Sequence, residues 1–118
     1  MAFGGAIGAV LRHLTRVYIE RPIAGEFPFA TITVNVAGSF VVGILFVALG
    51  GLDNHESRIA PFLIVGILGG YTTFSAYSLD AWLLINQGRI FESAVYIFGT
   101  VILSLVGVFA GVALAKLL

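Results

Sequence analysis

Long apolar runs separated by short polar clusters dominate the pattern of this chain. Charges and turn-forming residues gather at Glu20-Arg21-Pro22 with Gly25-Glu26 and Pro28, at Asp53-Asn54-His55-Glu56-Ser57-Arg58 before Pro61, and at Asn86-Gln87-Gly88-Arg89. A helix needs about 20 mostly apolar residues to cross the hydrocarbon core of a bilayer. The runs between the clusters, near Met1–Tyr18, Phe29–Leu49, Ile59–Ile85 and Phe91–Leu118, have that character. The pattern therefore predicts an all-α integral membrane protein with four transmembrane helices in a single domain over residues 1–118. The connections leave no room for a soluble domain. In the first run Arg12 arrives after about eleven apolar residues, so that helix either carries Arg12 toward its end or continues upstream of Met1.

The third run is interrupted from within. Gly66–Asp80 reads GILGGYTTFSAYSLD, which sets Gly69-Gly70, Thr72, Thr73 and Ser75 inside an otherwise apolar span. Glycine pairs weaken helices, and lipid offers hydroxyl groups no partners. The expectation is a broken third helix. Broken helices at membrane depth are tolerated where their freed backbone groups are buried in protein or line a cavity, and such breaks bind ions or substrates. A transporter or channel is the class this implies.

Composition narrows the class. Only 10% of the 118 residues are charged and 59% are hydrophobic, with mean hydropathy +1.08, whereas an ordinary soluble domain is about a quarter charged. The absence of cysteine removes disulfides, thiolate metal sites and cysteine nucleophiles. Zero formal net charge argues against a nucleic-acid partner and against a polybasic dock for anionic lipid. No signal peptide is expected, because the first apolar run leads into Arg12 and Arg16 rather than a cleavage site. An enzyme is not expected: His13 and His55 lie about forty residues apart at or beyond span ends, without partners at metal-ligand or triad spacing.

Four helices enclose little interior of their own. Asn35, Ser39, Thr72, Ser75, Thr100 and Ser104 would face lipid unless a second copy covered them, so an oligomer, most simply a homodimer, is expected. Small residues four apart favour close helix contact: Gly4 with Gly8, Gly66 with Gly70, and Gly107 with Gly111 and Ala115. Orientation is nearly undecided. With four spans, one face would hold Arg58 and Lys116 and the other Arg16, Arg21 and Arg89, almost no bias under the positive-inside rule. Such balance fits insertion in both orientations and antiparallel pairing.

The polar residues within the spans offer mainly donors. Asn35 and Ser39 share a helix face with Thr31, and Tyr96, Thr100 and Ser104 recur at intervals of four along the last span. Each taken singly is compatible with interhelical glue. Together they supply an amide NH2 and a run of hydroxyls, with Ser75 beside them and no carboxylate well inside a span, which favours an anion. Phe74 and Tyr77, three apart, can present positively polarised ring edges, or simply pack. A small, hard anion needs many converging donors to replace its hydration shell.

These residues carry a resemblance. Gly4-Gly5-Ala6-Ile7-Gly8-Ala9 through Arg12, Thr33-Val34-Asn35-Val36-Ala37-Gly38-Ser39-Phe40, and Gly69-Gly70-Tyr71-Thr72-Thr73-Phe74-Ser75 resemble, in order, the GGxxGAxxR, VNxxGSF and GGxTTFS motifs of the Fluc (CrcB) family of fluoride channels, and the likeness runs over essentially the whole length. The resemblance implies a dual-topology antiparallel homodimer in a prokaryotic plasma (inner) membrane, two fluoride pores at the subunit interface, and a central structural sodium ion at the break. It implies that Asn35 donates to fluoride, that Phe74 lines the pore with Tyr77 as second ring, and that Tyr96, Thr100 and Ser104 form a polar track, with Ser75 as a further donor. Gly69 and Thr72 would give backbone carbonyls to sodium, Arg12 would raise anion concentration at the vestibule, and Asp80 would stand near the pore mouth where the family usually has glutamate. Tyr77 replaces the usual phenylalanine, and His13 the usual tyrosine. The purpose implied is passive export of fluoride to relieve its toxicity.

Two other classes share parts of this pattern. A small proton-coupled exporter of cationic drugs can have the same length, helix number and dual topology, but it needs a carboxylate buried in the first helix, where this chain has Arg12. An assembly subunit without conduction would use every polar residue as glue and would tolerate Asn35→Leu.

Overall fold

The computed structural model describes residues 2–20, 27–50 and 59–118; the clusters at Arg21-Pro22 with Gly25-Glu26, and at Asp53 to Arg58, lie outside the described residues, as does Met1. Helix α1 spans Ala2–Glu20 and α2 spans Phe29–Ala48. The next span begins as a π-helix, Pro61–Leu68, continues as one α-helical turn, α3 at Gly69–Tyr71, breaks, and resumes as α4, Ser75–Asn86; α5 then runs over Ile90–Leu117. Proline suits the start of the π-helix because a first-turn N–H has no helical acceptor in any case. The boundaries agree with those expected from the apolar runs to within about two residues, inside the usual fraying of helix ends.

The turn between α4 and α5 is built on Gly88. Its φ of 77° allows the Arg89 N–H to reach the Leu84 carbonyl and the Gly88 N–H to reach that of Ile85, both at 3.0 Å. This is a Schellman C-cap, which a residue with a side chain adopts only under strain. It folds α5 back beside α4, so the two helices bury Tyr77, Ala81, Leu84 and Tyr96 as one cluster.

Elsewhere the helices meet through glycine. Lipid tails are as apolar as leucine, so helices in a bilayer associate by close backbone packing rather than by exclusion from water. On α1, a Cβ added to Gly4 would lie 2.9 Å from the Phe62 carbonyl oxygen, and one on Gly8 would collide with the backbone of Ile67 and Tyr71. Gly70 is pressed against Gly5 in the same way. On the other side Gly43 of α2 abuts the backbone of Val108, and Gly111 of α5 abuts that of Phe40. The four-residue glycine spacings thus bring helices of one chain together.

Most large apolar side chains point outward, among them Val101, Ile102, Leu105, Val106 and Phe109 of α5. The molecule is 50 Å long, enough to pass through a core about 30 Å thick. Three described helical spans are long and apolar enough to cross a membrane: Phe29–Ala48, Pro61–Asn86 and Ile90–Leu117. Helix α1 is not among them, since Arg12, His13 and Arg16 make its second half polar. The chain is a helical integral membrane protein.

The break lies later than the glycines. Gly69 is itself helical, with φ −63° and ψ −36°. The helix is interrupted at Thr72, which is extended with φ −78° and ψ 159°. Gly69-Gly70 therefore does not make the break by its flexibility; at Gly70 the missing side chain serves contact with α1.

Close packing at Gly111 and open space around Gly99 give opposite expectations. Gly111→Ala should lower stability to thermal or denaturant unfolding in detergent by about 1–3 kcal/mol, the usual cost of overpacking. Gly99→Ala should be neutral or stabilise by up to about 1 kcal/mol.

Candidate functional site: the helix break and the groove beside it

Extended backbone at Thr72 removes peptide groups from the helical ladder, at a depth where water cannot replace the lost bonds. Side chains replace them. The Thr73 N–H donates to Asn35 Oδ1 at 2.8 Å, and Asn35 Nδ2 donates to the Thr73 carbonyl at 3.0 Å. One amide side chain of α2 thereby satisfies both polar groups of residue 73, using one acceptor and one of its two N–H donors. Thr73 Oγ1 accepts the Ala76 N–H at 3.2 Å and lies 3.4 Å from Ser75 Oγ, which caps the first turn of α4. On the other side of the break, the Thr72 N–H and Thr72 Oγ1 both donate to the Leu68 carbonyl, at 3.0 and 3.1 Å.

Helix α1 reaches the same point. Arg12 Nη1 donates to the Thr72 carbonyl at 3.4 Å. Thr15 Oγ1 donates to the Leu11 carbonyl at 2.9 Å, so its bond with Tyr71 at 2.9 Å has the phenol as donor. The residue expected at an anion vestibule and a carbonyl expected to ligate sodium are therefore in contact with each other.

A groove of about 380 Å³ runs between α2, the break and α5. Asn35 and Ser39 line it from α2, Thr72, Thr73 and Phe74 from the break, Tyr77 from α4, and Thr100 and Ser104 from α5; Val42, Val101, Leu105 and Val108 complete it. Phe74 is 77% exposed, and its ring centre lies 5.4 Å from that of Tyr77 at an interplanar angle of 53°. Because Thr73 and Phe74 precede α4, the positive end of that helix dipole also sits at the groove.

Two atoms of this lining stand out. Thr100 Oγ1 and Ser104 Oγ are buried yet have no hydrogen-bond partner, although a buried hydroxyl left unpaired costs about 1–3 kcal/mol. Serine and threonine in helices commonly return the bond to the carbonyl four residues earlier. These two do not, and each keeps a donor for something else.

The expected track of three hydroxyls divides here. Tyr96, fully buried, does not line the groove; its hydroxyl donates to Asp80 Oδ2 at 3.1 Å, and Thr31 Oγ1 donates to the same oxygen at 2.7 Å. Asp80 is thus held between α2 and α5. The Tyr77 hydroxyl donates to the Ile97 carbonyl at 2.9 Å, so this phenol turns to the α5 backbone and the ring remains as its contribution to the groove. Ser75 and Gly69 are exposed and outside the groove lining. The structure brings together Asn35, Phe74, Tyr77, Thr100 and Ser104. The use of Asn35 on the Thr73 peptide, and the Thr31–Asp80–Tyr96 cluster, were not foreseen; Thr31 sharing a face with Asn35 was the one available signal.

Among the described residues no three His, Cys, Asp or Glu side chains converge as a metal site. A cation at this centre would rest on carbonyl oxygens. The acceptor that an α-helix would give the Thr73 N–H is the Gly69 carbonyl, and that bond is replaced by the one to Asn35.

Comparison with known proteins agrees with the motifs. Residues 1–112 match the family described as "CrcB-like protein, Camphor Resistance (CrcB)". The chain is 46% identical to a protein of Rhodospirillum centenum named "Fluoride-specific ion channel FluC", over 98% of this chain and 92% of the relative. It is 47% identical to one of that name from Cereibacter sphaeroides, over 98% and 91%, and 38% identical to one from Hahella chejuensis, over 100% and 93%. With its family motifs gathered around one break and one groove, the chain belongs to the CrcB family.

Proposed function

We propose that this protein is a fluoride channel that lets the ion leave the cell passively, with each pore completed by a second, antiparallel copy of the chain. The observation that carries the reading is the pair of buried, unpartnered hydroxyls of Thr100 and Ser104 on a groove that also presents Asn35 and the Phe74 ring. The names of the relatives point to the same ion.

The chemistry suits a small anion. Fluoride loses strong hydration on entering a dry path, and the lining must return hydrogen bonds in its place. Thr100 and Ser104 have free O–H donors, and Asn35 Nδ2 keeps a second N–H after bonding to Thr73. Phe74 offers a ring edge of positive polarity. Among the described residues no carboxylate lines the groove. Asp80 already accepts two hydroxyl hydrogen bonds at one oxygen and lies with Thr31 and Tyr96 toward one end of the path. Arg12, on the opposite side of the break, adds a positive charge that draws anions in.

The groove is open along one side, where lipid cannot satisfy the remaining N–H of Asn35. A second copy of the chain closes it, and α1 then serves as the fourth span despite its arginines, which a partner helix shields. The carbonyls of Gly69 and Thr72 fit a sodium ion in chemistry, being neutral hard oxygens, with Gly69 at the surface and released from its usual helical bond. Two copies would together supply four such oxygens, and the ion would hold the break closed by neutralising carbonyl dipoles. The drug-exporter reading lacks its central group, since α1 contains no carboxylate before its last residue, Glu20.

Protein reconstituted into liposomes loaded with potassium fluoride should release fluoride to an external electrode when valinomycin is added, and should release far less chloride; equal fluxes, or none from intact dimers, would overturn the reading. In the same assay Thr100→Val and Ser104→Ala should each slow fluoride efflux by about tenfold or more, as expected from losing one hydrogen bond to a charged group, about 1.5–3 kcal/mol. Thermal stability should stay the same or rise. Tags at the C-terminus should be reached by impermeant reagent from both faces of the membrane; labelling from one face only would exclude the antiparallel dimer.

A further inference from the structure

We propose that Asn35 is a positioning residue for the cation site at the break, in addition to its place on the groove. The inference rests on the sodium site of the proposed function and deepens it.

In an unbroken α-helix the Thr73 N–H would bond the carbonyl four residues earlier, that of Gly69. Asn35 Oδ1 takes this N–H instead, at 2.8 Å, while Asn35 Nδ2 holds the Thr73 carbonyl at 3.0 Å. The Gly69 carbonyl is thereby left without its helical donor, and Gly69 itself is exposed. Thr72 is extended, with ψ 159°, which turns its own carbonyl out of the helical direction; Arg12 Nη1 occupies one side of that oxygen at 3.4 Å, and a carbonyl oxygen has a second lone pair. The Gly69 carbonyl thus owes its release to one side chain on a neighbouring helix, whereas the helical donor to the Thr72 carbonyl, the Ala76 N–H, is taken by Thr73 Oγ1 at 3.2 Å. With a leucine at position 35, the Thr73 N–H has only the Gly69 carbonyl within its own segment to return to, and that oxygen is lost to the helix.

This differs from a role confined to the groove. A donor to fluoride acts through its N–H, whereas release of the Gly69 carbonyl depends on the acceptor atom, Oδ1. Asparagine and aspartate share that acceptor, and leucine has none.

The test is titration of sodium chloride into the full-length dimer, purified free of sodium in detergent, read by calorimetry, with dimer integrity checked by light scattering. Asn35→Leu should weaken sodium binding about 10–100-fold, the usual range for residues that orient metal ligands. Asn35→Asp should bind sodium within about threefold of the parent or more tightly, even where its fluoride flux is reduced. An N35L dimer that binds sodium like the parent would overturn the inference, as would an N35D dimer that loses as much affinity as N35L. Should N35L not yield a dimer, N35D decides alone: parental affinity supports the role and a tenfold loss overturns it. A parent that conducts fluoride but takes up no sodium would leave conduction standing and overturn this inference.

Discussion

Two hydrogen bonds between the Asn35 side chain and the peptide groups of Thr73 are the constraint on which the rest of the structure depends. They end one helix and allow the next to begin within three residues, at a depth where an unpaired peptide group costs several kcal/mol. Without them the third span has no reason to leave its helical path at Thr72. With them, Phe74 is set at the mouth of a new helix, its ring is turned into the groove, and the Thr73 hydroxyl is brought round to cap α4. One amide from α2 satisfies both peptide groups of Thr73, and the Thr73 hydroxyl and Arg12 satisfy the Ala76 N–H and the Thr72 carbonyl.

That amide reaches its target because the backbones around it lie close. Gly4, Gly5, Gly8 and Gly70 bring α1 against the π-helix and α3, which places Arg12 and Thr15 beside the break. Gly43 and Gly111 bring α2 against α5, which sets Asn35 and Ser39 on the same groove as Thr100 and Ser104. A fold with a small apolar interior gains its specificity from such contacts and from a few polar bonds rather than from a large core. The two unpaired hydroxyls on α5 are then the exceptions among the buried side-chain polar atoms of the described residues.

Much of this was legible in the sequence, for reasons that can be named. Long apolar runs bounded by charges located the helices, because bilayer thickness fixes their length. Residues one or two turns apart were rightly grouped where a single helix face decides, as with Asn35 and Ser39, or Thr100 and Ser104. Tyr96 was not, since each step of four residues turns about 40° beyond a full circle, and two steps carry it about 80° from Ser104. That rotation moves Tyr96 off the groove and toward Asp80 and Thr31. The break was legible as an anomaly within Gly66–Asp80, but its cause was not: glycine flexibility is a local signal, whereas the cause lies in a partner 38 positions away. Tyr77 was read as a second ring in place of phenylalanine, and the Ile97 carbonyl that takes its hydroxyl is visible only once α5 is folded back.

The most direct measurement is hydrogen exchange at the Thr73 amide, followed by mass spectrometry or NMR on the detergent-solubilised protein. Thr73 lies in no helix, so by local structure alone its amide would exchange quickly. Held by Asn35 it should exchange as slowly as amides within α2, and Asn35→Ala should abolish the protection. Rapid exchange at Thr73 in the unsubstituted protein would contradict the bond from which the break, the groove and the released Gly69 carbonyl all follow.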